Sequence, residues 1–430
     1  MLHVLLEPST PRARFVVRHV FERMIGWPIV LVGSREALSA ADGPRLYYGT
    51  GPIAGDFHVP YSGALSRTGV DNTPVPASGH GSDWKPYPIG NTFDVFAAIF
   101  QLLSLADEYA VKEPDEHGRL RADDLAIVKA DAHHTPLCDV WCIELAAALR
   151  ARFPSLPPPA RAYQHVVTVD VDNGLKYAAR SFTRAFGASA KDIFRGKSGQ
   201  FMDRWRVRTG LQPDPYARFI DPLERCEGQV SGMIAFILMR GDGRFDHAAR
   251  PDHPIFRAML ERLSAHARIG LHPSYESSRA DALIIREREQ LARLIGKTVD
   301  CSRQHFLRWR MPETFRTLIT CGIQEDHSIG FSDRAGFRAG TCTPFPWFDP
   351  ERDQETGLML HPFATMDSAL ARGTGAGAVN ALSEMRRVCD AVREVQGTYV
   401  SVWHDRFLSD DGVYSGSVDA FEQLVDHARP

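Results

Sequence analysis

The sequence predicts an α/β protein in which a small α/β domain, residues 1–155, precedes a (β/α) barrel over residues 163–430. Three observations carry this reading. A chain of 430 residues that is 44% hydrophobic and 24% charged has enough apolar material for a real core, and at roughly 100 to 200 residues per domain two domains are expected. Residues 153–162 read FPSLPPPARA; prolines at that density fit neither a helix interior nor a central strand, so the boundary falls there. Beyond it, short apolar runs alternate with amphipathic helical stretches, the pattern of parallel strands covered by helices. About seven or eight such units favour closure into a barrel.

In the first domain a strand-like VLL is followed by RARFVVRHVFERMI, whose apolar residues recur at helical spacing. WPIVLVG and RLYYG read as buried strands, and residues 91–110 and 136–153 as long helices. Residues 62–90, rich in Gly, Ser, Pro and Asp, read as a surface loop. In the second domain the strand candidates are VVTVDV, GMIAFILM, RIGLHPS, KTVDCSR, GIQEDHSIGF, AGFRAG, GLMLHPF and TYVSVWH. Helical stretches between them include HPIFRAMLERLSAHA, ADALIIREREQLARLIG, PETFRTLITCG and GAVNALSEMRRVCDAVREV.

A net charge of −3 supplies no basic stripe for nucleic acid. The N-terminal apolar run is too short for a secretory signal, and no segment reaches the ~18 apolar residues of a membrane span. Seven cysteines, an odd number, include Cys226, Cys301, Cys321, Cys342 and Cys389 scattered singly through the second domain. Reduced thiols and a cytoplasmic location are therefore expected.

Polar residues at the ends of the apolar runs are the functional signal. Asp170 and Asp172 close VVTVDVD, His272 closes RIGLH, and Arg303 and His305 follow KTVDCS. Asp326 follows GIQE, His361 closes GLMLH and His404 closes TYVSVWH. Barrel enzymes place their chemistry at the C-terminal ends of strands, so these groups are expected to converge on one mouth. Taken singly, each histidine reads as ordinary core or surface material; the repetition of the habit argues for a site. With the period of two of a strand, Asp170 and Asp172 share one face and Val169 and Val171 the other.

These residues give the second domain a resemblance to the polysaccharide deacetylases with a NodB-type homology domain, and to a subgroup with an additional N-terminal domain. The resemblance implies a distorted (β/α) barrel and a divalent metal ion, zinc being expected. The string Thr168-Val169-Asp170-Val171-Asp172 matches the family's Thr-Phe-Asp-Asp-Gly, which assigns the base to Asp170 and a metal ligand to Asp172. His272-Pro273-Ser274-Tyr275-Glu276 keeps the first histidine of the His-[Ser/Thr]-x-x-His motif and has glutamate at the second. The remaining ligand is then Glu276 or His305, and His305 is preferred because it keeps the family's two histidines and one carboxylate. Arg303, with Arg308 as rival, matches the arginine that orients the base, and His404 the histidine that acts as general acid. Arg338 is expected as a second cation near the mouth, for a substrate carboxylate, a buried aspartate or an oxyanion; a structural ion pair is its alternative.

The activity so implied is metal-assisted removal of N-acetyl groups from a carbohydrate, a glycan or glycan precursor, with Tyr275, Phe306, Trp309, Trp347 and Trp403 available to stack on sugar rings. A related amide hydrolase with a non-sugar substrate and a carbohydrate-binding barrel without turnover are the alternatives. Two further strings read as ordinary structure. His133, His134, Cys138 and Cys142 are metal-ligand types, but Cys-x-x-x-Cys here lacks a companion pair. Gly373-Thr374-Gly375-Ala376-Gly377 lacks both the G-x-G-x-x-G spacing and a Walker lysine, and reads as a flexible loop.

Overall fold

Alternating apolar side chains make Leu2–Leu6 the first strand, β1, and the computed structural model pairs it in parallel with β2 (Ile29–Val32) and β3 (Arg45–Gly49). A fourth parallel strand, β4 (Phe57–Pro60), joins β3 and was not apparent from its sequence. The structure describes residues 1–71, 73–110, 113–179, 198–371 and 376–430; the Gly373–Gly375 string lies outside them. The sheet order β2-β1-β3-β4 makes β2 an edge, so this strand is half exposed rather than buried as expected.

Thr10 caps the helix Pro11–Arg18, its Oγ1 accepting from the amide of Ala13 at 3.1 Å, and Pro11 supplies a preset φ where no amide donor is needed. The stretch read as one helix over 91–110 divides at Leu105, whose φ of 55° ends Val95–Leu103 before a short turn at Ala106–Tyr109. Leu137–Arg152 forms the second long helix, as expected.

The second sheet has nine strands: β5 (Gln164–Val171), β6 (Gly232–Leu238), β7 (Arg268–His272), β8 (Cys301–Ser302), β9 (Glu325–Asp326), β10 (Phe345–Asp349), β11 (Gln354–Leu360), β12 (Thr365–Met366) and β13 (Thr398–His404). Its order is β10-β11-β9-β8-β7-β6-β5-β13-β12. All neighbours are parallel except β10 with β11. The expected barrel is thus not closed by strand pairing: among the described residues no ladder joins β12 to β10 or β11. AGFRAG is not a strand either. Gly336 takes a φ of 143°, and a side chain there would meet the carbonyl oxygen of His133 at 2.5 Å, so this segment runs as a loop against the first sheet's helical layer.

Register decides where the functional ends fall. His404 lies opposite Asp170, which lies opposite Phe236; Leu238 lies opposite His272, and Leu271 opposite Ser302. The ends of β5, β7, β8 and β13 are therefore level. Gly270 permits the close spacing beneath them, since a Cβ there would stand 2.7 Å from the Phe236 ring and 2.8 Å from the Cys301 sulfur.

One apolar core runs through both sheets and their helices. The proline-rich segment is held at its end. The amide of Ala160 donates to the Ile25 carbonyl at 2.9 Å, and Arg161 reaches the carbonyls of Met24 and Val395 and the carboxylate of Asp139. Asp139, on the Leu137–Arg152 helix, also accepts from Thr341, Thr343 and the amide of Cys342. All seven cysteines are free thiols, and no described helix is long and apolar enough to cross a membrane.

Asp139→Ala leaves Arg161 buried without its carboxylate, which typically costs about 3–5 kcal/mol. Urea titration should show that loss in a single transition reported alike by Trp27, buried just before β2, and Trp403 of β13. A variant that melts the first sheet alone would show that the shared core does not couple the two.

Candidate metal centre

Thr168, Asp170 and Asp172 leave β5 on one face, as period two requires. Arg303, fully buried, donates from Nη1 to Thr168 Oγ1 at 2.9 Å and to Asp170 Oδ1 at 2.8 Å, and from Nε to the His327 carbonyl at 2.9 Å. Arg308 lies elsewhere: it donates to the carbonyls of His117 and Tyr275 and stacks on the Tyr275 ring. The arginine that clasps the base candidate is therefore Arg303.

Asp172 is the centre of the group. Its Oδ1 is buried with no hydrogen-bond partner, and it faces His272 Nε2 at 3.3 Å and His305 Nε2 at 3.5 Å. Asp172, His272 and His305 each offer one ligand atom within 4.8 Å of the others, and all three residues are buried. The far nitrogen of each histidine is fixed. His272 Nδ1 donates to the Arg303 carbonyl at 2.6 Å, and His305 Nδ1 to Asp246 Oδ1 at 2.9 Å. With the proton on Nδ1, the Nε2 lone pairs point at the space beside Asp172, the arrangement that orients metal-ligating imidazoles. Tetrahedral zinc with bonds of roughly 2.0–2.1 Å has ligand–ligand edges of about 3.3–3.4 Å, so the donor spacing fits such an ion with little movement.

Glu276, the alternative third ligand, is exposed. The chain explains this. The amides of Ser274 and Tyr275 are tied to the buried carboxylates of Glu287 and Asp246, and the turn that starts at Tyr275 carries the next side chain outward.

His404 completes the mouth. Its Nδ1 and its backbone amide both contact Asp367, at 2.7 and 2.6 Å, and its Nε2 lies 4.0 Å from Asp172 Oδ2. Burial opposes the charged imidazole, but the Asp367 carboxylate outweighs it and raises the His404 pKa. Burial likewise works against ionised Asp170, and Arg303 with the neighbouring histidines overcomes it to lower the pKa. Arg406 pairs with Asp172 Oδ2, leaving Oδ1 as the free donor. Asp405 turns inward to accept from the amides of Asn173 at 2.9 Å and Gly174 at 2.6 Å. Gly174, at a φ of 66°, lets the chain fold back directly after the aspartates.

Sequence reasoning missed Asp246, Asp367, Asp405 and Arg406. Asp405 and Arg406 adjoin His404 and were within reach of the same signal. Asp246 and Asp367 lie in short loops whose composition resembles any surface turn. Arg338 is not part of the mouth: its guanidinium lies over the rings of Trp309 and Phe331, and the buried carboxylate of Glu108, which requires a partner, holds it at 2.6 Å. Trp347 and Trp403 are fully buried core residues, so neither is a sugar platform. Cys138 and Cys142 are buried against Ala339 and Met24 rather than gathered with His133 and His134. His117, which precedes the Leu137–Arg152 helix, reaches Tyr275 Oη at 3.1 Å and packs on Phe306. Together with Phe245 these side chains form an aromatic wall beside His305.

Residues 2–154 match a family of unknown function, DUF7033. No curated protein matches the chain. Among solved structures, one described as a polysaccharide deacetylase from Mycobacterium smegmatis aligns at 14% identity and a TM-score of 0.39, over 63% of this chain and 86% of that one. A second, described in the same terms and from Pseudomonas aeruginosa PAO1, aligns at 10% identity and a TM-score of 0.36, over 62% of this chain and 85% of that one. At these scores the overlap is loose, and the site stands on its own residues.

Asp326, at the end of β9, accepts from Ser302 Oγ and the Ser328 amide, yet burial raises its pKa to about 6. The folded protein then holds a proton that the unfolded chain releases near the ordinary aspartate value of 3.8. This contribution to stability is complete below that value and is lost as pH rises through about 6. Relative to wild type, Asp326→Asn should gain up to about 3 kcal/mol between pH 4 and pH 7 in urea titrations; a pH-independent difference would contradict a buried neutral acid.

Proposed function

We propose that the chain is a divalent-metal hydrolase, with zinc as its ion, that removes N-acetyl groups from a glycan or glycan precursor. The observation that carries the metal reading is the unpartnered, buried Asp172 Oδ1 facing the Nε2 atoms of His272 and His305. Two imidazoles and one carboxylate form the donor set of many zinc hydrolases, which keep a further position open. The acetyl-sugar reading rests on the NodB-like strings at 168–172 and 272–276 and on the aromatic wall of Tyr275, Phe306 and Phe245.

A bound ion supplies Lewis-acid polarisation of the acyl carbonyl and lowers the pKa of a water towards ~7. The protein's own groups do the proton work. Asp170, with Oδ1 clasped by Arg303, accepts the water's proton through its other oxygen as the oxygen–carbon bond forms. His404, kept protonated by Asp367, donates from Nε2 to the amine nitrogen as the carbon–nitrogen bond breaks. Acetate and a free amine leave. Asp172 stays ionised throughout: burial opposes its charge, and His305 and Arg406 hold its pKa well below the usual carboxylate range.

Zinc titration of metal-free protein separates the roles. At the Asp172 centre, His305→Ala and Asp172→Asn should abolish tight binding, Asp246→Asn should weaken it by about 10- to 100-fold, and Glu276→Ala should leave it unchanged. Undiminished affinity at the Asp172 site in His305→Ala would remove this ligand set.

Acetate release from acetylated sugars tests the chemistry. Asp170→Asn and His404→Ala should keep the ion and lose about 10²- to 10⁴-fold in kcat. Asp367→Asn should move the basic limb of the pH profile downward, because His404 then loses its proton at lower pH. Metal-loaded protein that releases no acetate from any acetylated sugar, but hydrolyses other amides, would transfer the site to a non-sugar substrate.

A further inference from the structure

A second set of ligand-type side chains meets at the ends of β9 and β11, sharing no donor with the Asp172 group. Glu325 and His327 are two residues apart and emerge on one face, while Asp326 between them turns to Ser302. His361 follows β11, whose last residue, Leu360, lies opposite Asp326, so the two histidines stand side by side with rings 4.5 Å apart and inclined by 17°.

Three features of this cluster point to a bound cation. Glu325 Oε2 lies 3.5 Å from His327 Nε2 and 3.6 Å from His361 Nε2, close to the ~3.3–3.4 Å edges expected of zinc with bonds of roughly 2.0–2.1 Å. All three donor atoms fall within 4.8 Å of one another. His327 is 2% exposed, and neither of its ring nitrogens has a hydrogen-bond partner. A buried imidazole without partners is costly, and an ion at Nε2 would supply one. The surrounding charge permits it: Arg268 donates from Nη1 to the same Glu325 Oε2 at 2.7 Å, which leaves that oxygen a second lone pair, and from Nη2 to Asp300 at 2.7 Å, so these three side chains sum to one negative charge beside two neutral imidazoles. The side chains of Glu325 and His361 are about a quarter exposed, which gives an ion a way in.

We propose that Glu325, His327 and His361 form a second divalent-cation site, of the zinc class, separate from the Asp172 centre. Its role is structural. The His327 carbonyl accepts from Arg303 Nε, and the same guanidinium holds Asp170, so an ion on the His327 ring would fix the strand end on which the Arg303 clasp rests.

Calorimetric zinc titration of chelator-stripped full-length protein tests this, with far-UV circular dichroism confirming that each variant is folded. Wild type should bind two equivalents and His305→Ala one. His305→Ala/His361→Ala should bind none, and His305→Ala/His361→Gln, which keeps a polar side chain at this partly exposed position, should behave alike. A folded His305→Ala protein that binds no zinc would overturn the proposal, as would either double variant that retains its equivalent. If the Asp172 centre fails and this site stands, wild type binds one equivalent, which His361→Ala removes and His305→Ala does not.

Discussion

The site depends on a buried arginine. Arg303 is wholly excluded from solvent, and a guanidinium cannot give up its proton in a protein, so the fold must supply a carboxylate and acceptors around it. Asp170 and Thr168 of β5 do so from one side and the His327 carbonyl from another, while the rings of Phe236 and Phe363 face its plane. Removing Arg303 would leave Asp170 buried and uncompensated, a larger loss than that of the pair as a whole. The same contacts fix how β5, β6 and the segments after β8 and β9 meet.

Two aspartates on one strand face repel each other, and burial strengthens that repulsion. The arrangement resolves it by giving each its own cation, Arg303 for Asp170 and Arg406 for Asp172. The consequence is a division of oxygen atoms. One oxygen of each carboxylate is engaged by an arginine, and on Asp172 the other is left without a partner beside two histidines. A third acid, Asp367, holds His404 in the same manner, so each histidine of the mouth has its Nδ1 occupied and its Nε2 turned inward.

The N-terminal segment that carries the first sheet does more than precede the second. Its Asp139 gathers the loop at Thr341–Thr343, its Glu108 draws Arg338 away from the mouth, and its His117 and Arg119 bond to Tyr275 and the Phe306 carbonyl beside His305. The short strands β8, β9 and β12 offer few ladder bonds of their own, so these side-chain ties, with the continuous core, set the positions of the loops that carry the site.

By itself the sequence determined what is local. The period of two placed Asp170 and Asp172 on one face, apolar runs ending in His272 and His404 marked strand ends, and proline-rich 153–162 marked the change between sheets. Such features depend on neighbours within a few residues, and they survive without knowledge of the fold. Only the tertiary structure decided which of those ends meet. Two-residue strands such as β8 and β9 carry too little periodicity to fix a register, so neither the approach of His305, rather than exposed Glu276, to Asp172 nor the pairing of His404 with Asp367 follows from spacing. Arg338 shows the same limit from the other side: its sequence context is compatible with a mouth, but the buried carboxylate of Glu108, 230 residues away in the chain, claims it because a charge removed from water must find its opposite wherever the fold has put it.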